Sequence, residues 1–300
     1  MIPDGRTRAD LLVGYDGSPA AAGAIDAGAR LLPGRSALVV HLWVPPFASP
    51  ELRRVLWRRA ATLDELQALI EREGADEAER IAASGVALAR AAGWEATPLV
   101  HRSYGGEGLT LARLAGDHEV AAAVVGARGL GGAAAVLGSV SDLLVHHSTR
   151  PVLVVPHPMT SDVRAACGDG PVVVAWDGSD GARRALATAA ELLAPRELVA
   201  ASVRDPGAPA GPPDVAPPGP ARLETVLLGD EGGRAPGAGD VVEAVAALAD
   251  ARGAAVIAVG SRGRSPARRI LLGSVAMGLL HGAHRPVLIV PGERPGAGSA

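Results

Sequence analysis

Lysine is missing from this sequence altogether, and so is asparagine; every one of its 29 basic residues is an arginine. That absence excludes a Walker-type phosphate-binding lysine, a Schiff-base lysine and a lysine general base. A phosphate bound here must be held by backbone N–H groups, hydroxyls or arginine. Cysteine occurs once, as Cys167, which excludes an intrachain disulfide and a cysteine metal cluster. Aromatic residues make up 2% of a chain that is 48% hydrophobic. The core must therefore be alanine, valine and leucine, which suits buried parallel strands under alanine-rich helices. No apolar run approaches the roughly 20 residues of a membrane-spanning helix, and the polar stretch Met1–Asp10 is unlike a signal peptide. The formal net charge is −3, with acids and bases interspersed. No basic face advertises nucleic acid and no polybasic tract advertises a membrane. The expectation is a soluble, cytoplasmic protein.

What the sequence does contain is an internal repeat. Leu11-Leu12-Val13-Gly14-Tyr15-Asp16-Gly17-Ser18 returns as Val172-Val173-Val174-Ala175-Trp176-Asp177-Gly178-Ser179, offset by 161. Val124-Val125-Gly126-Ala127-Arg128-Gly129 returns as Ala258-Val259-Gly260-Ser261-Arg262-Gly263, offset by 134. Arg150-Pro151-Val152-Leu153 returns as Arg285-Pro286-Val287-Leu288, offset by 135. Three blocks in one order mean duplication, and 300 residues suffice for two domains. The change of offset from 161 to 134 gives copy one 27 extra residues ahead of its glycine loop. We place them in Pro50–Gly93, whose apolar spacing reads as amphipathic helix. Copy two has the Pro/Gly-rich loop Asp205–Pro220 in that region.

Short β-branched runs alternate with helical patterns in both copies, which means α/β domains with parallel sheets covered on both faces. Strands are expected near Asp10–Tyr15, Ala37–Val44, Glu95–His101, Ala121–Gly126 and Val152–Val155 in copy one. Those of copy two are expected near Val172–Trp176, Glu197–Val203, Arg222–Leu228, Ala254–Val259 and Val287–Val290. The domains are expected at 1–158 and 171–292, with a linker at 159–170 and a flexible tail at 293–300.

Ligands of open parallel sheets sit beyond the carboxyl ends of the strands, where chain order reverses. Two segments per copy fall there: Asp-Gly-Ser after the first strand, and the glycine loop after the fourth. In copy two, Gly260-Ser261-Arg262-Gly263 is followed by nine residues and then Gly273-Ser274. Ser274 is expected at a helix N-cap, where unpaired N–H groups and the helix dipole favour a phosphate.

This spacing resembles the signature of the universal stress protein family, and the ordered motifs resemble that family over nearly the whole chain. The resemblance implies two tandem Rossmann-like domains, each an open five-stranded parallel sheet ordered 3-2-1-4-5. It also implies ATP, with or without Mg2+, bound where the full motif is kept. By position, Asp177 would lie against the adenosine half, with Gly260, Gly263, Gly273, Ser274 and Val275 along ribose and phosphates. Arg262 is either a phosphate contact or a solvated loop arginine. The copy-one counterparts are Asp16, Gly126, Arg128, Gly129, Gly138, Ser139 and Val140. Their loop is one residue shorter, with eight residues before Gly138, so that cradle is either intact or spoiled. The last strand forms the dimer contact in the family. A tandem chain can meet that contact internally as a pseudo-dimer, and a further homodimer stays open.

The plain alternatives are structural. Asp16 and Asp177 are also good turn formers, and the glycine loops also serve as strand-to-helix connections. The functional expectation is an adenine-nucleotide-binding stress or regulatory protein with at most slow ATP hydrolysis, not a dedicated enzyme. The rival is a family scaffold that acts through protein contacts. A dinucleotide dehydrogenase is disfavoured, because its glycine fingerprint would follow the first strand.

Overall fold

The computed structural model describes residues 9–43, 58, 60–127, 137–204, 221–227, 237–261 and 272–292. Copy one runs β1 (Leu11–Gly14), α1 (Pro19–Leu31), β2 (Ser36–Trp43), α2 (Leu63–Ala91), β3 (Glu95–Arg102), α3 (Glu107–Asp117), β4 (Ala122–Gly126), α4 (Ser139–His147) and β5 (Val152–Val155). A helix α5 (Ser161–Asp169) leads into copy two. There follow β6 (Val172–Ala175), α6 (Asp180–Leu192), β7 (Leu198–Arg204), β8 (Arg222–Leu227), α7 (Ala238–Ala251), β9 (Val256–Gly260), α8 (Ser274–Gly282) and β10 (Val287–Val290). Among the described residues no helix is long and apolar enough to cross a membrane.

The sheet is continuous, in the order β3-β2-β1-β4-β5-β10-β9-β6-β7-β8. Read inward from its outer edge, each half has the same order, the 3-2-1-4-5 pattern, and all pairs within a half are parallel. The halves join where β5 and β10 run antiparallel, Leu153 opposite Leu288 and Val154 opposite Val287. All four residues of each joining strand are buried. Two apolar cores lie on either side of the sheet, and each contains residues of both copies. Joining the last strands internally removes two edges that would otherwise invite aggregation.

The helical reading of Pro50–Gly93 is met over Leu63–Ala91 by α2, which buries Leu66, Ala78, Ala82, Gly85, Val86 and Ala89, while residues 50–57 and 59 lie outside the described residues. Gly85 lets the helix cross the Tyr15 ring, since a Cβ there would lie 2.6 Å from Tyr15 Cδ1. Residues 205–220 and 293–300 lie outside the described residues. Within 159–170 the chain is not plain linker. Thr160 caps α5 by accepting the Val163 N–H at 3.4 Å, and Val163 and Cys167 are buried. Burial pushes the Cys167 thiol up, against the pull of nearby Arg196 and Arg30. Arg196 of copy two donates to the Cys167, Gly168 and Gly170 carbonyls at 2.7, 2.9 and 3.0 Å, and to Arg30 O of copy one at 3.0 Å. One guanidinium thus satisfies the carboxyl end of α5 and ties the copies together.

The copies solve one packing problem in opposite ways. In copy one the close approach of α3 and α4 falls on Gly108, where a Cβ would lie 2.6 Å from Leu143 Cβ and collide with Val140 O. In copy two it falls on Gly278 of α8, where a Cβ would lie 2.5 Å from Val242 Cγ2 of α7. The repeat offsets pair Gly108 with Val242 and Leu143 with Gly278, so small and large residues have changed places. Gly108→Val should cost roughly 2–3 kcal/mol by overpacking. Adding Leu143→Gly rebuilds the copy-two arrangement and should recover part of that loss, despite the poor helix propensity of glycine. Urea denaturation of the single and double variants checks this; simply additive losses would refute the size exchange.

Candidate functional site

In each half the chain order reverses between the first and fourth strands, which leaves a crevice at their carboxyl ends. In copy one this crevice is a cavity of about 320 Å³. Its apolar wall is Val40 and Leu42 from the end of β2 with Leu111 from α3. Opposite stand Gly126 and the first turn of α4, Gly138 to Ser141, with Asp16 and Ser18 following β1. Of the copy-one residues singled out above, Asp16, Gly126, Gly138, Ser139 and Val140 meet around this cavity. Arg128 and Gly129 lie outside the described residues, as do Arg262 and Gly263 of copy two.

The Asp-Gly-Ser segment is built identically in both copies. Asp16 Oδ1 accepts the Ser18 N–H at 2.9 Å, and Asp177 Oδ1 accepts the Ser179 N–H at 2.9 Å. The intervening glycines sit at φ +82° and +74°, a left-handed conformation that favours glycine. Ser18 and Ser179 then cap the next helix, each accepting an N–H three residues on at 3.2 Å. The aspartates therefore have a turn-forming task, with Asp16 exposed at the cavity and Asp177 half-buried.

Gly126 and Gly260 also answer to the fold. A Cβ on Gly126 would lie 2.5 Å from Ala20 O of α1, and one on Gly260 would lie 2.6 Å from the Gly181 carbonyl of α6. These strand ends lean directly on helix backbone.

The start of α8 corrects one expectation. Gly273, not Ser274, is the N-cap, with φ −64° and ψ 152° and its carbonyl already accepting the Met277 N–H at 2.9 Å. Ser274 is the first helical residue, and it is exposed. Copy one matches this, with Gly138 as N-cap at φ −68° and ψ 150° and Ser139 exposed. Neither helix has a side-chain hydrogen bond at its cap. The N–H groups of the first turn are thus presented for an anion by the backbone itself.

Each copy secures this turn differently. Ser141 Oγ donates to Gly126 O at 2.9 Å, tying α4 to the end of β4. Copy two has Ala276 at that position, and Ser261 does the work instead. Its carbonyl accepts the Gly273 N–H at 2.8 Å, and its Oγ accepts the Gly292 N–H at 3.0 Å. Sequence reading missed Ser141 and also Glu107, which lines the cavity from the start of α3. No particular signal in the sequence marks Ser141, which is one of several polar residues in Ser139–His147.

The model of the Universal stress protein family matches residues 8–156 and again 170–291. No curated protein sequence shows significant similarity. A universal stress protein from Archaeoglobus fulgidus DSM 4304 is 18% identical and superposes with a TM-score of 0.63, covering 94% of this chain and 97% of its own. A candidate universal stress protein from Pseudomonas aeruginosa UCBPP-PA14 is 13% identical, with a TM-score of 0.53 over 94% of this chain and 92% of its own. A shorter Archaeoglobus fulgidus universal stress protein, solved in complex with dAMP, is 19% identical over 48% of this chain and 94% of its own, with a TM-score of 0.33. The structural likeness agrees with the fold derived above, and the two family matches fall one on each repeat. The chain belongs to the universal stress protein family, with two copies of the family domain in one polypeptide.

Proposed function

We propose that this protein is an adenine-nucleotide binder whose bound nucleotide regulates its contacts, with ATP as the ligand of copy two. The observation that carries the proposal is the copy-one cavity, which joins an apolar wall to a helix start without a side-chain cap. Val40, Leu42 and Leu111 suit the face of a base, and the N–H groups of Ser139, Val140 and Ser141 suit phosphate oxygens. Copy two supplies the same parts in Asp177, Gly260, Gly273, Ser274 and Val275, and in sequence Arg262 and Gly263. With no lysine in the chain to stabilise phosphoryl transfer, the site is suited to holding a nucleotide more than to turning it over.

Nucleotide released from the purified, denatured protein should be adenine nucleotide, and apoprotein should bind ATP in a calorimetric titration. No bound nucleotide and no heat at millimolar ATP would remove this reading. One observation favours the scaffold alternative. Asp16, Asp177, Gly126 and Gly260 all have tasks in the fold that need no ligand. The same titration decides between the two.

A further inference from the structure

The two copies place different residues at one position beside the cleft. Glu107 opens α3, is half-buried, and lines the copy-one cavity together with Asp16. The offset of 134 that carries Gly126 to Gly260 carries Glu107 to Val241. The carboxyl ends of the helices keep this register, since His118 closes α3 and Arg252, also 134 residues on, closes α7, which begins three residues earlier in that register. Val241 packs against the apolar core of copy two. At this position, then, copy one places a carboxylate and copy two a valine, while the first-turn carboxylate of α7 is Asp240, at the position of Gly106, where its Oδ2 accepts the Gly237 N–H at 2.8 Å.

Glu107 lines the same cavity as Ser139, Val140 and Ser141, whose N–H groups are the donors proposed for phosphate. Its neighbour Gly108 is in contact with α4, where a Cβ would lie 3.0 Å from Leu144 N and 2.6 Å from Leu143 Cβ. That contact holds the start of α3 against the first turns of α4. Glu107 therefore shares one cavity with residues 139–141. Charges in such a cleft are weakly screened by salt, and a fixed carboxylate opposes every unit of phosphate charge brought in. The same carboxylate can accept hydrogen bonds from a ribose hydroxyl or a base amino group. A ligand rich in phosphate is penalised, and one rich in donors is favoured.

We propose that the two clefts divide adenine ligands by charge, with Glu107 making copy one selective for the nucleoside or its monophosphate and Val241 leaving copy two open to ATP. This rests on the reading of the clefts as nucleotide sites.

The test counts bound ligand per full-length chain by equilibrium dialysis with labelled ATP and labelled adenosine, together with calorimetric affinities. Wild type should bind ATP tightly at one site, and its second site should prefer adenosine. Glu107→Gln should strengthen ATP at the second site by about tenfold with adenosine changed less than threefold, and Glu107→Asp should restore the discrimination. Val241→Glu should weaken ATP at copy two by a similar factor. An unchanged ratio of ATP to adenosine affinity in Glu107→Gln, or two equal ATP sites in wild type, would overturn the division of ligands while sparing the nucleotide reading. Binding of neither ligand at any site would overturn both. Should Glu107→Gln lower the unfolding midpoint, Glu107→Val, which copies the residue of copy two, gives the same ratio test.

Discussion

Replacing Gly273 by valine is expected to weaken ATP binding at copy two on the order of a hundredfold while leaving the fold in place. The backbone at Gly273 lies at φ −64° and ψ 152°, which any L-residue adopts. The damage is therefore not backbone strain. A branched side chain at the N-cap stands at the mouth of the first-turn N–H groups of α8, in space a phosphate needs. Charge-assisted hydrogen bonds are worth about 1.5–3 kcal/mol each, so losing two gives a factor of roughly a hundred or more. No lysine anywhere in the chain can compensate. Poor capping by valine costs about 1 kcal/mol of stability, which an unfolding curve measures separately. Gly138→Val should change ATP binding much less, because copy one starts from a shortened loop. Calorimetry of wild type and both variants checks this. If Gly138→Val removes ATP binding while Gly273→Val spares it, the ATP site is in the other half.

A single methyl group at Gly260 should do a different kind of harm. Gly260→Ala places a Cβ 2.6 Å from the carbonyl carbon and oxygen of Gly181 and 2.9 Å from its Cα. All three are backbone atoms, so no side chain can swing aside. Either α6 lifts from the sheet or the end of β9 shifts, and we expect a loss of roughly 3 kcal/mol. For a protein of this size that is a fall in the thermal midpoint of about 5 °C. Gly126→Ala, facing Ala20 O at 2.5 Å, should behave alike in copy one. Thermal denaturation with and without nucleotide separates the effects. A wild-type midpoint combined with lost binding would mean that these glycines serve only the ligand.

These two sites show what the sequence disclosed and what it hid. The repeat, the strands and the amphipathic α2 were legible because each is written in local periodicity and in blocks that recur. The cleft in copy one was legible as well, since Asp16, Gly126 and Gly138 follow strands whose carboxyl ends must converge. The reasons for particular residues were less visible. Gly260 reads as a loop glycine, but its contact is with Gly181, far away in sequence. Arg285 reads as part of a repeated block, yet it is buried, with its Nε donating to Asp250 at 2.7 Å and its Nη1 to Ala254 O. The helix between the domains was hidden because Ser161–Asp169 has weak apolar spacing and owes its place to Arg196 and to burial of Val163 and Cys167. Glu107 was passed over because an acidic residue opening a helix is ordinary. Only the cavity makes it unusual.

The antiparallel seam between β5 and β10 has a directional consequence. Every strand of one half points opposite to those of the other, so the strand tips that frame the two clefts face away from each other on opposite rims of a single plate. No one small molecule can bridge the rims, and no one partner surface can read both from a single approach. The molecule is a two-ended gauge, and its ends are joined through the β5–β10 seam, the shared cores and the Arg196 contact with Arg30 rather than across solvent.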